Sequence, residues 1–325
     1  MITGLKWFYN GYRNYGKNGY ERKKREIFRE EDLNVDISEK RFLITGANSG
    51  IGYACSMELA KRGGIVYLVC RSKEKGEKAL NEIIKESKQS PDRIHLITCD
   101  ISLKEECNRL INEFSERKEP IDVLIHNAGV MMSERKLTKE SIEVTFATNL
   151  LAPFLLTQKW INLMKSLKSN NNNNNNEKPR CIFVSSGGML TQKLAIDNYQ
   201  FENLNKWDPL STYSQTKRAE IHLCEEFSDR YSEDFNFFSM HPGWSSTPQL
   251  ESAMPTFNWL TRNQQRTPEQ GADTIVWLSI SPTVESNHSS LFFQDRSPVD
   301  KFIHNSNTEC SKSDKDKLWK YLLNF

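Results

Sequence analysis

Tyr213 and Lys217 are the two residues whose types and spacing most directly suggest chemistry. Residues four apart share one face of a helix, so the Lys217 ammonium can stabilise the Tyr213 phenolate. A free phenol has a pKa of about 10 and needs such a neighbour to act as a base near neutral pH. The pair predicts proton transfer to or from an oxygen atom, although the same spacing also occurs without function on solvated helices.

A glycine-rich turn forms a second candidate site, at residues 45–52 between an apolar strand and a helix. Glycines let the backbone approach a pyrophosphate, and the first N–H groups of the helix favour negative charge. The residues assigned to cofactor binding in this turn are Thr45, Gly46, Asn48, Ser49, Gly50, Ile51 and Gly52. Because the turn joins a strand to a helix, it predicts a dinucleotide site rather than an ordinary turn.

Arg71 follows the second predicted strand, nineteen residues after Gly52. An NAD site usually has a carboxylate at this place, which accepts a hydrogen bond from the ribose 2′-hydroxyl. A guanidinium instead matches a phosphate group with two parallel hydrogen bonds. The sequence therefore favours NADP(H) over NAD(H) as the cofactor, with a surface arginine at a strand end as the alternative.

The elements that must position these residues are short apolar runs alternating with amphipathic segments from residue 41 onward. The predicted strands are Phe42–Thr45, Ile65–Cys70, Arg93–Thr98, Ile121–His126, Arg180–Ser185 and Phe235–Met240. Helical patterns cover about residues 51–62, 73–88, 103–118 and 141–167. This alternation predicts an α/β fold of the Rossmann type, a doubly wound parallel sheet with helices on both faces in a single domain.

Composition shifts suggest the domain boundaries. Residues 1–40 form an extension rich in aromatic and basic residues, residues 41–300 the nucleotide-binding domain, and residues 301–325 a C-terminal tail. A run of seven asparagines, Asn170–Asn176, lies between a helix and a strand. It offers nothing to bury, and a longer surface loop costs little entropy, so it is predicted to be a disordered insert.

The N-terminal extension is open to two interpretations. Residues 1–30 contain eight Lys or Arg and three Glu, and Leu5, Phe8, Tyr12 and Tyr15 recur at helical spacing. One interpretation is an interfacial helix that contacts anionic lipid at a membrane or a lipid droplet. The other is an extension that packs its aromatic stripe on the main domain, which is slightly favoured because glycines weaken an isolated helix.

Composition also excludes several classes of protein. The 325 residues include 44 basic and 42 acidic ones, and the net charge of +2 excludes a globally basic nucleic-acid-binding protein. Neither a membrane-spanning run nor the apolar segment of a secretory signal peptide is expected. Seven cysteines without a CxxC pair indicate buried thiols in a reducing compartment such as the cytoplasm. Six histidines without an HxxxH pattern predict no metal site.

Six motifs in order over residues 41–250 resemble those of the short-chain dehydrogenase/reductase family. They are TGxxxGIG at 45–52, an NNAG-like segment at 126–129 with His126 in first position, a helix-borne Asn149, a serine pair at 185–186, YxxxK at 213–217 and PGxxxT at 242–247. Each motif alone is weak evidence, but their order makes the resemblance specific. It implies a Rossmann-type fold and a nicotinamide cofactor.

The resemblance also implies roles for particular residues. Tyr213 would be the catalytic acid and base, Ser186 would bind the substrate oxygen with Ser185 as its rival, and Asn149 would hold a water of the proton relay. Lys217, together with Tyr213, would contact the nicotinamide ribose. Further cofactor contacts implied are Asp100, Ile101, Asn127, Ala128, Gly129, Pro242, Gly243 and Thr247.

These features predict an NADP-dependent oxidoreductase that interconverts an apolar carbonyl and an alcohol, with a homo-oligomer suggested by analogy with the family. An apolar substrate pocket is expected from Trp244, Leu250, Met254, Phe257, Trp259 and Leu260. Plain core packing is the alternative for these residues. The rival function is a nucleotide-binding scaffold or sensor without catalysis, which would not need Asn149, Ser186, Tyr213 and Lys217 together.

Overall fold

The apolar runs form one eight-stranded sheet in the computed structural model, which describes residues 2–170, 177–284 and 286–325. The strands are β1 (Arg41–Thr45), β2 (Ile65–Cys70), β3 (Ile94–Thr98), β4 (Val123–His126), β5 (Arg180–Val184), β6 (Asn236–Met240), β7 (Phe292–Gln294) and β8 (Ser297–Pro298). Their order is β3-β2-β1-β4-β5-β6-β7-β8, and only the β7–β8 pairing is antiparallel within this sheet. The doubly wound parallel sheet is confirmed, with β7 and β8 as unpredicted additions.

Helices cover both faces of this sheet. They are α1 (Ile2–Asn14), α2 (Lys17–Ile27), α3 (Gly50–Lys61), α4 (Lys73–Ser87), α5 (Lys104–Arg117), α6 (Val144–Phe146), α7 (Ala152–Asn170), α8 (Pro209–Tyr231), α9 (Pro248–Ala253), α10 (Pro255–Thr261), α11 (Pro268–Ile280) and α12 (Lys312–Leu322). Helices α3, α4 and α11 contribute to one core layer, and α5, α7, α8 and α12 to the other. No helix among the described residues is long and apolar enough to cross a bilayer.

The segment predicted as one helix over 141–167 is divided in three. Helix α6 is followed by a π-helical turn, Ala147–Leu151, before α7 continues to Asn170. Pro153 has no N–H group to donate to a carbonyl one turn earlier, so it fits the start of α7 and not the middle of a helix. The rest of the asparagine run, residues 171–176, lies outside the described residues.

The C-terminal tail belongs to the core. Helix α12 buries Leu318, Trp319 and Leu322. The Trp319 ring packs edge-on against Phe154 of α7 and Phe227 of α8, with ring centroids 5.3 and 5.0 Å apart. Residues 312–322 therefore complete one layer of the domain.

The turn between α1 and α2 is held by a buried ion pair of the main domain. Arg266 and Asp295 are both almost fully buried and form two hydrogen bonds, one of them 3.0 Å long. The carbonyl of Asn14 accepts hydrogen bonds from Arg266 (2.8 Å) and from the side chain of Gln294 (2.9 Å). The N-terminal segment thus satisfies donors that the domain core would otherwise bury unpaired.

The N-terminal residues that pack on the domain agree only in part with the predicted stripe, because Tyr15 is buried whereas Tyr12 is 56% exposed. Tyr15 and Trp7 pack around Trp244, each with its ring centroid about 6 Å away. Gly11 lies between them, and a Cβ at this position would come within 2.4 Å of the Trp244 ring. The close approach of the ring therefore requires glycine. Phe8 touches the same ring at its edge but stays 43% exposed, so the glycine-bearing face makes the contact.

His126, the departure from the family motif, ends β4 in a fully enclosed position. Its Nε2 lies 2.8 Å from the Thr157 hydroxyl, and its ring lies 4.9 Å from Phe183, centroid to centroid. Burial, together with the nearby Lys217 ammonium, lowers the pKa of His126 to about 3. The imidazole is therefore neutral whenever the protein is folded near neutral pH.

We expect His126 to make the protein sensitive to acid. Below pH ~6.5 this histidine binds a proton in the unfolded chain but stays neutral in the folded protein. The free energy of unfolding therefore falls as pH decreases. Between pH 7 and pH 5 the wild type should lose ~2 kcal/mol more in the free energy of unfolding than His126→Asn, which carries the family residue. Urea unfolding at both pH values measures this. The exposed His304→Asn should follow the wild type; equal losses in wild type and His126→Asn would contradict the expectation.

Candidate active site

A cleft of about 680 Å³ lies where β1 to β6 end, because residues that follow each of these strands line it. Ligands of open α/β sheets bind at this edge, where the strand order reverses. The predicted residues that line the cleft are Gly46, Asn48, Ser49, Gly50, Ile51, Arg71, Asp100, Ile101, Asn127, Ala128, Gly129, Ser186, Tyr213, Lys217, Pro242, Gly243 and Thr247. Thr45, Gly52 and Asn149 lie behind this lining.

Thr45 and Gly52 build a junction between the ends of β1 and β4. The Thr45 hydroxyl accepts hydrogen bonds from the backbone N–H groups of Asn127 and Ala128, both at 3.1 Å. The Asn127 side chain in turn donates to the carbonyls of Thr45 (2.9 Å) and Gly46 (3.3 Å). A Cβ at Gly52 would lie 2.4 Å from the Asn127 amide nitrogen. Both residues therefore shape the turn from behind.

The glycine-rich turn fits a pyrophosphate. Gly46 and Gly50 have φ angles of +68° and +56°, which a side chain disfavours. Ser49 directly precedes α3, and its hydroxyl accepts no capping hydrogen bond from the described N–H groups of that helix. The first N–H groups of α3 are thus left for an anionic group at the positive end of the helix dipole.

Two basic side chains line the cleft at the end of β2. Arg71 directly follows the strand, and Lys75 lies in the first turn of α4. Lys75 was not predicted as a site residue, although its place four residues after Arg71 on the next helix was the available signal. Asp100, which follows β3 and also lines the cleft, is fixed by hydrogen bonds from the Ser102 N–H (3.1 Å) and hydroxyl (2.8 Å).

Helix α8 brings Tyr213 and Lys217 to the middle of the cleft. The Lys217 ammonium lies 5.8 Å from the centre of the Tyr213 ring. Burial raises the pKa of Tyr213, while the ammonium and a hydrogen bond with the Ser186 hydroxyl lower it. The Ser185 hydroxyl is buried and donates to the Lys217 carbonyl at 2.7 Å, whereas Ser186 stays partly exposed in the cleft. Of the two serines, Ser186 is placed beside the phenol.

Lys217 is almost fully buried, and two acceptors hold its ammonium. The Val184 carbonyl accepts at 3.0 Å and a Glu220 carboxylate oxygen at 2.8 Å. Glu220 was not predicted as a site residue. The available signal was its position three residues after Lys217, on the same face of the helix.

Asn149 clamps the wall of the cleft. Its side-chain oxygen accepts from the Val130 N–H at 2.8 Å, and its amide donates to the Val130 carbonyl at 2.9 Å and to the Thr216 hydroxyl at 3.0 Å. The π-helical turn presents this side chain toward the irregular segment that follows β4. All three contacts are with the protein itself.

The other end of the cleft is mostly apolar, and the N-terminal segment supplies part of it. Trp7 donates from its indole nitrogen to the Gly187 carbonyl at 2.6 Å, and Tyr15 packs edge-on against His241. The apolar side chains at this end are Trp7, Tyr15, Met131, Met132, Leu210, Trp244, Leu250, Met254 and Phe257. The predicted lining residues Trp259 and Leu260 are instead 64% and 63% exposed, which corrects that prediction.

His241 has a structural position. Its Nδ1 accepts from the Gly243 N–H at 3.2 Å, and its Nε2 lies 3.0 Å from the Gln294 side-chain oxygen. Burial, together with the charge of Arg266, lowers the pKa of His241 to about 4. With both nitrogens engaged, the ring orders the turn after β6. The described residues contain no cluster of three His, Cys, Asp or Glu side chains that could hold a metal.

Known proteins resemble this chain over most of its length. A family model described as short chain dehydrogenase matches residues 40–200. Dehydrogenase/reductase SDR family member 12 of Bos taurus and that of Homo sapiens are each 38% identical to this chain, over 98% of its length and 96% of theirs. Retinol dehydrogenase 11 of Mus musculus is 29% identical over 80% of this chain and 79% of its own.

Solved structures share the fold. A short chain dehydrogenase from Escherichia coli CFT073 complexed with NADPH has a TM-score of 0.62 at 21% identity, covering 83% of this chain and 100% of that one. One from Shigella flexneri complexed with NADP has a TM-score of 0.59 at 20% identity, covering 81% and 99%. The chain therefore belongs to the short-chain dehydrogenase/reductase family of oxidoreductases.

Proposed function

We propose that this protein interconverts an apolar carbonyl compound and its alcohol with NADP(H). The observation that carries the proposal is the meeting of Ser186, Tyr213 and Lys217 at the centre of one cleft. One end of that cleft carries two basic side chains at the end of β2, and the other end is lined by aromatic and aliphatic groups. A nucleotide with an extra phosphate suits the first end, and a hydrophobic substrate suits the second.

The proton step rests on Tyr213. When the carbonyl is reduced, its oxygen gains negative charge, and the hydroxyls of Ser186 and Tyr213 both face the cleft to stabilise it. Tyr213 then donates its proton, and in the reverse direction its phenolate accepts one. A bound nicotinamide would supply or accept the hydride. The Lys217 ammonium favours the phenolate against the effect of burial.

Tyr213→Phe should abolish turnover while leaving the fold and cofactor binding intact, because only a hydroxyl is removed. We expect a loss of about 10²–10⁴-fold in kcat for any accepted substrate. Lys217→Met should lose turnover and also weaken cofactor binding. Turnover and NADPH fluorescence titrations of each variant are the measurements. Near-normal turnover in Tyr213→Phe would refute the mechanism. A wild type that binds NADPH but converts none of the aldehydes, ketones, steroids and retinoids tested would favour the scaffold function.

Arg71 and Lys75 are the basis for proposing NADP(H) over NAD(H). Arg71→Ala should weaken NADPH binding roughly ten- to hundredfold, the value of a hydrogen bond to a charged group, and change NADH binding little. Lys75→Ala should act in the same direction. Lys78→Ala, an exposed neighbour on α4 outside the cleft, is the matched control. Equal affinities of the wild type for NADPH and NADH would contradict the proposal.

We also propose that the substrate end of the cleft opens beside an anionic lipid surface. Helices α1 and α10, which line this end, leave large apolar side chains in solvent: Phe8, Tyr9, Tyr12, Trp259 and Leu260. Basic residues outnumber acidic ones by eight to three over residues 1–30, which suits anionic headgroups. Aromatic rings beside basic groups are typical of interfacial segments. A hydrophobic alcohol could then enter from lipid; the related retinol dehydrogenase 11 bears the name of such a substrate.

Vesicle flotation tests the lipid contact. Wild type should float with phosphatidylserine vesicles and less with purely zwitterionic ones, and Phe8→Ser with Trp259→Ser should weaken flotation. Leu137→Ser with Leu204→Ser removes exposed apolar groups outside α1 and α10 and should leave it unchanged. Point variants are preferable to deletion of residues 1–40, because deletion would expose Arg266. Equal flotation of both double variants would argue against the contact.

A further inference from the structure

Behind Tyr213 the protein buries a complete ion pair. Lys217 and Glu220 lie on consecutive turns of α8, have 2% and 0% of their side chains exposed, and are 2.8 Å apart. The second carboxylate oxygen of Glu220 has no hydrogen-bond partner among the described residues. A carboxylate that is desolvated and only half satisfied is costly, so its position beside the lysine calls for an explanation in function.

The surroundings of this pair contain few other charges. From α8, the titratable neighbour is Tyr213, which responds to both Lys217 and Glu220. From β4, His126 faces Lys217, and burial keeps its imidazole neutral. From β5, the only contribution to the ammonium among the described contacts is the Val184 carbonyl. Burial raises the pKa of Glu220 to about 7 against the opposing effect of Lys217. In the alkaline range where Tyr213 and Lys217 release their protons, Glu220 is therefore the negative charge beside the lysine in this part of the core.

We propose that Glu220 is a positioning residue that fixes the Lys217 ammonium and limits how strongly it favours the Tyr213 phenolate. The carboxylate fixes the ammonium from the side of the core, while Val184 holds it from the sheet. Its negative charge opposes the loss of a proton from Tyr213 and from Lys217 alike. This inference rests on the proposed role of Tyr213 as the acid, and it assigns the tuning of that acid to a residue outside the family motif.

The physical consequence concerns the two groups as a unit. Tyr213 and Lys217 interact closely, so they lose their protons in macroscopic steps that belong to the pair. Burial raises the pKa of Tyr213, and the Glu220 carboxylate raises the pKa of both Tyr213 and Lys217. Removing the carboxylate charge must lower the first of these steps, whichever group releases the proton.

The experiment titrates the full-length protein without substrate. Tyrosine is labelled with ¹³C at Cζ and lysine at Cε; Tyr213→Phe and Lys217→Arg identify the two resonances. In Glu220→Gln, which keeps the shape and a hydrogen-bond acceptor, the first midpoint of the pair should move down by about one pH unit or more. Glu220→Asp keeps the charge at a greater distance and should move it less, in the same direction. Glu226→Gln, a second buried glutamate of α8 paired with Arg230, should not move it.

An unchanged first midpoint in folded Glu220→Gln would overturn the proposal, since a purely structural role predicts lower melting temperature alone. Should the Gln variant fail to fold, an unchanged midpoint in Glu220→Asp overturns it equally. Because this titration requires no turnover, it is separate from the test of the proposed function. Failure of Tyr213→Phe to lose activity would refute the acid role but not the electrostatic coupling.

Discussion

The cleft depends on one junction, where Thr45 and Asn127 tie the ends of β1 and β4 together. Strand order reverses between these strands, so their ends separate the two halves of the sheet and open a crevice. Five hydrogen bonds would be lost if the junction opened, because the Thr45 hydroxyl also donates to the Ile125 carbonyl. Gly52 lets α3 come close enough for the Asn127 amide to reach the turn. The glycine-rich turn takes its position beside the cleft from these contacts.

The apolar end of the cleft depends on a different constraint, the burial of Arg266. A guanidinium in the core needs an opposite charge and further hydrogen-bond acceptors. Asp295 supplies the charge, and the carbonyl of Asn14 supplies the further acceptor. The turn between α1 and α2 is thereby fixed on the domain, and Trp7 and Tyr15 are brought into the wall of the cleft. The two ends are thus built by independent interactions.

Much of the sheet and of the cleft could be predicted from the sequence. Buried parallel strands are continuous apolar runs, and the order of the motifs indicates which residues follow the strand ends. The bounds of the six predicted strands agree with those of β1 to β6 within one or two residues. Helices α1 and α2 were harder, because glycine lowers intrinsic helix propensity. The Trp244 ring leaves no room for a side chain at Gly11. These two residues are 233 positions apart in the chain, so no local pattern indicates the contact. Lys75 and Glu220 were not predicted because charged residues are typical of solvated helix faces. Only the fold shows that Lys75 lines the cleft and that Glu220 is buried.

The N-terminal contribution to the cleft also has a consequence for biosynthesis. Residues 7–15 are translated well before their partners at 241–266 and 294–295, which complete their binding surface. Strands β1 to β5 and the glycine-rich turn after β1 can assemble on the ribosome while α1 still lacks its partners. During that interval the aromatic residues of α1 are exposed, and a holding chaperone could bind them. The apolar end of the cleft can therefore form only after the chain has been synthesised as far as residue 295, although it uses residues near the start of the sequence.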